Sequence, residues 1–481
     1  MRLLSYLRAG SATTLNVVLN AATLGRFVWL EGRVRRSVFL NWARRFRYRP
    51  ERFVQPEDEQ QIADLVASTR RLRVFGSAHS FNDGVVTDGT LVSLDRFSGA
   101  IANGGTRDDE HRGNDQMAVK GGTRVRDVVK LLRERGLAFA ALPSHDAQSI
   151  AGILSTDVHG TGTDWGFVSD SVVGLTVMDG RGQRHECAPS DDLFKAAIGG
   201  VGAVGIITGV VVQAVPRFDV QQRVRIDDLA VVERDLDRLL EKHDHLSLYL
   251  FPFSAKCQVN TWDRTEDRRS RLGNVREFVS ISLDALLASW LGNLLAYAGL
   301  LPKLGSRVYI KKRGTDLVLE SDAAFNRTIY HLHQELELTV PFEQTFEASR
   351  RFIDLYERIY RRRALPYTVV EVRFTPEGHD RTLIGAGRGR RSTWIDLVCT
   401  DSEGFEDYYA AAVELAKEIG AWPHLGKFCD GFSKADLARL HGESFSRFLA
   451  LVEAHDPDGK FANELTGRLL RHSPGKGLDR A

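Results

Sequence analysis

Residues 72–82 read LRVFGSAHSFN, and this stretch decides which folds the chain can adopt. The stretch Leu72–Phe75 predicts a short strand, which leads directly into Gly76, small residues and hydroxyls. Backbone N–H groups in such a loop can point at one anion, which suits a pyrophosphate. The loop lacks GxGxxG spacing and opens no obvious helix, which disfavours the dinucleotide turn of nicotinamide-dependent enzymes. A tight surface turn is the alternative interpretation.

Two further loops downstream share this composition. Residues 148–163 read QSIAGILSTDVHGTGT, and residues 199–209 read GGVGAVGIITG. Glycines in such loops indicate that backbone approaches something closely at several points. One long dinucleotide threaded between two layers would explain all three loops together. Three independent tight turns are the alternative.

The predicted helices and strands alternate without the regular βαβ rhythm of a doubly wound sheet, so the sequence predicts an α+β fold. Short elements precede about Pro216, and longer ones follow it. The longer elements are helices over 229–243, 346–362, 404–419 and 434–455, and strands over 246–253, 368–374 and 392–399. This change of character predicts a second domain.

The composition of the 481 residues, with 43% hydrophobic and 27% charged, excludes a disordered, collagen-like or disulfide-scaffold protein. The net charge of +2 hides an asymmetry, because residues 1–50 hold ten Arg and one Glu and therefore carry +9. The remaining residues carry −7, which argues against a broad nucleic-acid-binding surface. The four Cys lie far apart without metal-ligand spacing, which indicates free thiols in a reducing compartment and no metal site.

Two apolar stretches raise the question of membrane contact. Residues 11–30 read SATTLNVVLNAATLGRFVWL between Arg-rich flanks, and residues 285–302 read ALLASWLGNLLAYAGLLP. The first is compatible with an amphipathic helix on an anionic membrane, a transit-like segment, or a plain helix packed on the body. The second is just short of a spanning helix, so a buried or surface-docking helix is the default. We expect a cytoplasmic protein, with peripheral membrane contact through 1–40 and 285–302 as a hypothesis.

The three loops together resemble the FAD-binding domain of vanillyl-alcohol-oxidase-type flavoproteins. Four later blocks, ELELTVP at 335–341, VEVRF at 370–374, WPHLGKF at 422–428 and DPDGKFAN at 456–463, narrow the resemblance to the sugar-1,4-lactone oxidases and their alditol oxidase relatives. The similarity covers roughly residues 41–470 in the correct order. It implies a two-domain flavoprotein whose FAD-binding domain of the PCMH type has two α+β subdomains, and whose cap domain has an antiparallel sheet flanked by helices. The implied segments are a basic apolar arm at 1–40, the FAD-binding domain at 41–217, the substrate domain at 218–421 and a returning C-terminal segment at 422–470.

The resemblance also implies the cofactor and its binding residues. A His in the first loop of this family carries the flavin covalently, and His79 occupies that place. A His that only hydrogen-bonds the loop is the alternative, since some members bind FAD without a covalent bond. The implied cofactor-binding residues are Gly76, Ser77, Ala78, His79, Ser80, Ser149, Gly152, Ser155, His159, Gly160, Gly202, Gly205 and Ile207.

Four residues are implied for catalysis. Glu371 and Arg373 are two apart in a predicted strand and therefore point to one face, where a solvated ion pair is the alternative. By resemblance, Arg373 stabilises negative charge on the reduced flavin or the substrate oxygen, and Glu371 orients a sugar hydroxyl. Lys427 matches the family's active-site Lys and would take the hydroxyl proton, with a surface Lys as the alternative. Ser149 aligns with a Ser that touches the reacting hydroxyl, and a helix or turn cap is its alternative.

The sequence departs from the family pattern at three positions. Trp422 replaces an Arg, whereas Ala78 and Asp157 stand where Gly is common. The resemblance implies oxidation of a sugar-derived alcohol, with an aldono-1,4-lactone oxidised at C2 as the expected substrate and O2 as the expected acceptor. An alditol oxidase, or a dehydrogenase that uses a quinone or cytochrome, is the alternative within enzymes. A non-catalytic protein that docks on membrane or nucleic acid is the alternative outside them.

Overall fold

The computed structural model describes residues 2–22, 33–35, 38–101, 115–308, 315–326 and 332–470. The parts of the N-terminal arm at 23–32 and 36–37 and the polar tail at 471–481 lie outside the described residues. The described strands divide into several small sheets before residue 217 and one large sheet after it. The domain boundaries implied by the resemblance remain a prediction.

The N-terminal half contains twelve strands within the described ranges. They are β1 (Arg33–Arg35), β2 (Val38–Leu40), β3 (Arg47–Tyr48), β4 (Arg52–Val54), β5 (Leu72–Phe75), β6 (Thr90–Ser93), β7 (Gln116–Lys120), β8 (Leu137–Ala138), β9 (Val172–Met178), β10 (Arg184–Cys187), β11 (Ile206–Gln213) and β12 (Val215–Pro216). A three-stranded parallel sheet has the order β4-β6-β5, and a four-stranded antiparallel sheet has the order β10-β9-β11-β7. These two sheets form the two α+β subdomains that the resemblance implies.

The helices of this half are α1 (Arg2–Ala22), α2 (Glu59–Ser68), α3 (Val125–Glu134), α4 (Ile150–Ser155) and α5 (Asp192–Ala197). The start of α2 follows from its sequence, because the Asp58 side chain accepts a hydrogen bond from the Gln61 N–H and Glu59 lies in the first turn. Its buried residues Ile62, Leu65 and Val66 are three or four apart and therefore share one face.

The second half is built on an eight-stranded sheet with the order β16-β13-β15-β14-β18-β19-β17-β20. Its strands are β13 (Asp219–Asp228), β14 (His245–Leu250), β15 (Lys256–Thr265), β16 (Thr315–Glu320), β17 (His333–Pro341), β18 (Thr368–Thr375), β19 (Ser392–Thr400) and β20 (Trp422–Pro423). Every pairing in this sheet is antiparallel, as the resemblance implies.

The remaining helices are α6 (Leu229–Lys242), α7 (Gly273–Leu286), α8 (Asn293–Tyr297), α9 (Leu301–Val308), α10 (Ser321–Phe325), α11 (Thr345–Tyr360), α12 (Phe405–Ile419), α13 (Lys434–His441), α14 (Glu443–His455) and α15 (Glu464–Leu470). A π-helical segment, Leu287–Gly292, joins α7 to α8 into one continuous helix. One helix predicted over 434–455 is wrong, because the chain breaks at Gly442, whose φ of 55° ends α13.

Side-chain alternation gives the large sheet one apolar and one polar face. Leu336, Leu338 and Val340 of β17 are buried in the main hydrophobic core with α11 and α12. The intervening residues, such as Glu335 and Glu337, point to the opposite face. Glu335, Glu337 and Arg373 lie on this polar face, at the junction with the loops of the N-terminal half.

The apolar stretches singled out in the sequence pack against each other. Thr13 of α1 forms a 2.8 Å hydrogen bond with Ser289, and the Trp290 indole donates to Thr14 over 2.9 Å. Gly10 makes this approach possible, since a Cβ there would lie 2.6 Å from the Trp290 ring. Residues 2–22 of the arm are therefore a packed helix, as one of the three interpretations predicted.

Candidate active site

The three Gly-rich loops line one cavity of about 980 Å³, which we call the cofactor cavity. Its walls contain every predicted cofactor-binding residue except His159 and Gly160. Leu425, Phe461 and Leu465 of the C-terminal segment complete the lining. Glycine-rich backbone from three loops on one cavity suits the pyrophosphate of a dinucleotide.

Two glycines show why this lining excludes side chains. A Cβ at Gly76 would lie 2.1 Å from the Ser149 hydroxyl oxygen. A Cβ at Gly205 would lie 2.5 Å from the Met178 carbonyl oxygen, and the φ of 151° at Gly205 disfavours other residues. The loops thus present backbone to the cavity, as the sequence predicted.

Two of the departures from the family pattern fall at positions of positive φ. Ala78 has a φ of 51° and Asp157 a φ of 52°. Both conformations favour glycine, the residue that the family pattern commonly carries there. Asp157 is held in place by Ser169, whose hydroxyl donates to it over 2.8 Å, and by His379 at 3.0 Å.

Arg73 connects the walls of the cofactor cavity. The guanidinium donates to the carbonyl oxygens of Gly84 at 2.7 Å, Val201 at 2.7 Å and Phe461 at 2.8 Å. These carbonyls belong to three separate segments of the chain. Sequence reasoning missed Arg73, since an Arg within a short strand gives no signal of burial.

His79 lies where the cofactor cavity meets a second cavity, and it lines both. Its ring stacks on Trp42, with centroids 5.5 Å apart. Burial lowers the pKa of His79 well below the usual value, and His145 and Arg124 act in the same direction, so the imidazole is neutral. Its Nε2 atom is buried and has no hydrogen-bond partner among the described residues. A neutral imidazole with an open nitrogen can act as a nucleophile.

The second cavity, of about 670 Å³, lies between the polar face of the large sheet and the loops of the N-terminal half. We call it the catalytic cavity. Ionisable side chains dominate its lining: His79, His145, His159, His333, Glu335, Glu337, Arg373, His424 and Lys427. Such a concentration of buried titratable groups is typical of an active site.

A buried ion pair lies at the base of the catalytic cavity. The Arg373 guanidinium contacts the Glu337 carboxylate and lies 3.4 Å from Asp396. Burial alone would lower the pKa of Arg373, but Glu337 and Glu371 outweigh it and raise that pKa. Burial alone would raise the pKa of Glu337, but Arg373 and His159 hold it well below its usual range. Arg373 and Glu337 are therefore charged at neutral pH.

The pKa of Asp396 is shifted in the opposite direction from that of Glu337. Burial and the neighbouring Glu337 raise the pKa of Asp396 well above its usual value. Only one of two adjacent buried carboxyl groups readily carries a negative charge, and Arg373 lies closer to Glu337. The raised pKa favours the protonated form of Asp396, which can donate a hydrogen bond.

Lys427 lies close to Glu337 of the buried ion pair and to Asp396. Its ammonium group contacts Glu335 and lies 3.7 Å from Asp396 and 3.8 Å from Glu337. Burial lowers the pKa of Lys427 to about 7. Asn82 of the first loop donates to the Lys427 carbonyl oxygen over 2.9 Å, which fastens this Lys to the cofactor loop.

Two imidazoles complete the polar base. The His159 Nε2 atom lies 3.0 Å from Glu337, and the His159 ring stacks on Trp394 at 3.7 Å. Burial lowers the pKa of His159 to about 4 and also lowers that of His424, so both rings are neutral. Ligand atoms of His159, Glu337 and His424 lie within 4.8 Å of one another, but Arg373 already supplies the cation that Glu337 binds.

The predicted catalytic residues are only partly brought together. Arg373 and Lys427 line the catalytic cavity. Glu371 lies 4.0 Å from Arg373 on the same sheet face but outside that lining. Ser149 lies in the wall of the cofactor cavity, where its hydroxyl accepts the Gly152 N–H and caps α4. Its position matches the cap interpretation and the cofactor-binding prediction rather than contact with a reacting hydroxyl.

Two predicted cofactor residues lie elsewhere. His159 faces the catalytic cavity, and Gly160 lines neither cavity, since its N–H is bonded to the Gly166 carbonyl. Conversely, Glu335, Glu337 and Asp396 were missed. The alternation of ELELTVP at 335–341 has the same period as Glu371 and Arg373, and it was the signal available for the first two.

FAD fits these features. The glycine-lined cavity accommodates a dinucleotide in contact with backbone, and its end reaches the open nitrogen of His79. The flavin ring would then lie between His79 and the charged base of the catalytic cavity. Both cavities share His79, Ser80, Gln148 and Thr156, so one ligand can extend from one into the other.

Comparison with known proteins agrees with this arrangement. The sequence profile of an FAD-binding domain matches residues 50–188. The chain is 26% identical to L-gulono-1,4-lactone dehydrogenase of Mycobacterium tuberculosis, over 90% of this chain and 99% of that protein. It is 27% identical to L-gulonolactone oxidase of Bos taurus, over 88% of this chain and 96% of the relative.

Solved structures support the fold. Cholesterol oxidase from B. sterolicum superimposes with a TM-score of 0.69 at 14% identity, covering 90% of this chain and 96% of that one. The profile described as D-arabinono-1,4-lactone oxidase matches residues 210–469, which is more than half of the chain. The chain therefore belongs to the D-arabinono-1,4-lactone oxidase family.

Proposed function

We propose that this protein catalyses the FAD-dependent oxidation of an aldono-1,4-lactone, of the D-arabinono-1,4-lactone kind, at the C2 hydroxyl. The observation that carries the proposal is the meeting of two cavities at His79, one suited to FAD and the other lined by Lys427 and Arg373. FAD supplies hydride acceptance when it is bound. The chain must supply orientation, charge and a proton acceptor.

Lys427 is the proton acceptor in this proposal. Its pKa of about 7 leaves a substantial fraction of neutral amine at neutral pH, and that amine can take the hydroxyl proton of the substrate. Arg373 remains cationic beside Glu337 and stabilises negative charge that develops on the substrate oxygen. The protonated form of Asp396, which its raised pKa favours, offers a hydrogen bond at the same place.

Oxygen is the proposed electron acceptor, with hydrogen peroxide as product. The relatives carry the names of both a dehydrogenase and an oxidase, so the acceptor needs its own test. Reduced protein should be reoxidised faster by air than by a soluble quinone in stopped-flow measurements. The reverse order would favour the dehydrogenase alternative.

Peroxide release from a panel of substrates tests the reaction itself. The panel contains D-arabinono-1,4-lactone, L-gulono-1,4-lactone and the corresponding open-chain alditols. We expect turnover of a lactone with a kcat/KM at least about tenfold above that of any alditol, since a rigid ring loses less freedom on binding. Preference for an alditol would favour the alditol oxidase alternative. Absence of flavin absorbance, with salt-sensitive nucleic-acid binding, would favour the non-catalytic one.

We further propose that the flavin is covalently bound through His79. The neutral ring and the open Nε2 atom of His79 at the end of the cofactor cavity support this attachment. After acid precipitation the yellow colour should remain with the polypeptide. In the His79→Ala variant the flavin should be released by the same treatment. Complete release of flavin from the wild type would exclude the covalent bond.

The third part of the proposal is a cytoplasmic protein that docks peripherally on a lipid bilayer. The continuous helix Gly273–Tyr297 is long and apolar enough to cross a membrane, with a mean hydropathy of 1.5 and 33% of its most apolar window buried. Its exposed apolar side chains recur every three or four residues and form one face: Val275, Val279, Leu283, Leu287, Trp290, Leu294 and Tyr297. Leu4, Leu7, Leu15 and Val18 of the adjacent α1 are also exposed.

Several features favour a bilayer as the occupant of this face. An exposed apolar surface of two helices is larger than soluble proteins usually tolerate. α1 contains no acidic residue, and the Arg8 side chain, which pairs with Asp401 at 3.3 Å, is 63% exposed and remains within reach of anionic headgroups. Packing of Gly273–Tyr297 against α1 and Tyr367 favours a helix that lies on the surface over one that crosses.

Co-sedimentation with phosphatidylserine-containing vesicles tests the docking. We expect the wild type to bind and the Leu283→Glu and Leu294→Glu variants to lose at least about tenfold in partitioning. Val231→Glu is the matched control, because Val231 is 40% exposed on α6, outside this face. Equal binding of all four proteins, or of none, would contradict the proposal.

A further inference from the structure

A cluster of metal-ligating side chains lies in the N-terminal half, apart from both cavities as the described residues define them. It consists of Asp179, which directly follows β9, His185 in β10, and His455, the last residue of α14. We propose that these three residues bind a divalent transition metal ion of the zinc class. Neither the catalytic proposal nor the family resemblance uses any of them.

The separations of the donor atoms suit one ion. The His185 Nε2 atom is 2.9 Å and the His455 Nδ1 atom 3.7 Å from the same Asp179 oxygen, and all three atoms lie within 4.8 Å of one another. Bond lengths of 2.0–2.1 Å around a tetrahedral ion place ligand atoms about 3.4 Å apart. The observed separations lie on both sides of this value, so small side-chain rotations suffice.

The Asp179 carboxylate is held in an orientation that suits a metal ligand. One oxygen of Asp179 accepts the backbone N–H groups of Arg181 and Gln183, each at 2.9 Å, and only the other oxygen faces the imidazoles. Fixed ligand orientation of this kind accompanies metal-binding carboxylates. The His455 Nδ1 atom is buried and has no hydrogen-bond partner among the described residues, so a donor is available for the ion.

Backbone contacts hold the three elements together. The Gly180 N–H donates to the His455 carbonyl over 2.7 Å, and the Arg181 guanidinium donates to the Ala454 carbonyl over 2.7 Å. The end of α14 is thus fixed against the β9–β10 turn without any ion. A preformed site loses little entropy on binding.

The site is accessible from solvent and incomplete. The side chains of His185 and His455 are 30% and 19% exposed, whereas that of Asp179 is buried. Two imidazole nitrogens and one carboxylate oxygen match the preference of Zn²⁺, Co²⁺ and Ni²⁺ over Mg²⁺ or Ca²⁺. Water would occupy a fourth position. The ion would bridge the β9–β10 turn to α14 and stabilise the folded state.

Titration calorimetry of the chelator-treated holoenzyme with ZnCl₂ tests the site. We expect one ion per chain, a rise in Tm on binding, and the visible bands of a distorted tetrahedral complex when CoCl₂ replaces zinc. His185→Ala and His455→Gln should each weaken zinc binding by at least about tenfold, because loss of a ligand costs no less than loss of an outer-shell partner.

His243→Ala is the matched control, since His243 pairs with Asp263 at 2.9 Å and the described residues add no third ligand there. It should leave zinc binding and the Tm rise unchanged. Binding that survives both site variants places the ion elsewhere, and the absence of saturable binding to the wild type leaves only a His–Asp hydrogen bond. Either result overturns the proposal, and neither affects the assignment of the catalytic cavity.

Discussion

Lys427 occupies a position where two opposing influences set its charge. Burial favours the neutral amine and lowers the pKa of Lys427 to about 7. The adjacent Glu335 and Glu337 carboxylates favour the ammonium form. A catalytic base works best when its pKa lies near the working pH. The same Lys on the protein surface would be almost fully protonated at neutral pH.

Activity should therefore rise with pH as Lys427 loses its proton. We expect kcat/KM for the lactone to increase through about pH 7, and Lys427→Met to lower kcat by about 10²–10⁴. Glu335→Gln should move the rise to lower pH, because it removes a carboxylate that favours the ammonium form. Steady-state pH profiles of the three proteins check this, and an unchanged profile in Lys427→Met would remove this residue from the mechanism.

The Asp157 departure supplies a second prediction at this scale. His379 lies 3.0 Å from Asp157 and 3.2 Å from Asp170 and stacks on Phe167. Burial alone would lower the pKa of His379, but the two carboxylates outweigh it and raise that pKa to about 9. A raised pKa means that the pair stabilises the fold fully below the unfolded value of 6.5 and loses this contribution as pH rises through about 9.

Asp157→Asn should consequently destabilise the protein by about 3 kcal/mol at pH 6 and by much less at pH 10. Asp157→Gly should behave similarly, with about 1 kcal/mol recovered because the φ of 52° suits glycine. Thermal unfolding of both variants and the wild type across this pH range checks the prediction. A difference in Tm that stays constant with pH would contradict the assigned pKa.

At the scale of elements, Arg73 decides whether three separate segments form one cofactor cavity. The Arg73→Met variant leaves the carbonyls of Gly84, Val201 and Phe461 without this donor. We expect a loss of flavin content and roughly 3 kcal/mol of stability, since buried acceptors lose their hydrogen bonds. Arg71→Met is the control, because its ion pair with Asp88 is exposed and contributes little. Flavin absorbance per chain and chemical unfolding of both variants measure the difference.

The elements also show what sequence reasoning could reach. The strand Leu72–Phe75 was predicted because an apolar run meets a glycine, and the match is complete. The alternation of apolar and acidic residues predicts that β17 has two different faces. Leu336 and Leu338 lie in the core, and Glu335 and Glu337 lie on the other face. A single strand does not say whether its polar face meets water or another domain. Glu337 and Asp396 are buried because loops of the N-terminal half cover this face, and His159 of one of them contacts Glu337 at 3.0 Å.

At the scale of the whole molecule, the family resemblance predicted the cofactor and an order of domains along the chain. The arrangement of the site could not be predicted in this way, because it depends on contacts between distant segments. Lys427 meets Glu335 across 92 positions, and Arg45 reaches Asp430 across 385. Such contacts have no periodicity in the sequence. The same holds for the packing of α1 on Gly273–Tyr297, which turned two ambiguous apolar stretches into one surface.

The location of α1 outside both cavities predicts that this helix can be removed without loss of catalysis. None of its described residues lines either cavity, whereas Trp42, which does, lies beyond it. Deletion of residues 1–22 should leave flavin content and kcat within about a factor of two, because distant sites act independently. Loss of the Thr13 and Thr14 contacts should lower Tm by roughly 2–4 °C.

Vesicle binding should fall in the same truncated protein as far as in the full-length Leu283→Glu variant, because each change removes part of one apolar face. A longer deletion, through Trp42, should also lose flavin, since the His79 ring then lacks its stacking partner. Peroxide assays, flavin absorbance and co-sedimentation on the three proteins separate these effects. If the short deletion abolished turnover, the basic N-terminal helix would belong to the catalytic machinery and its separation from the flavin-binding body would be wrong.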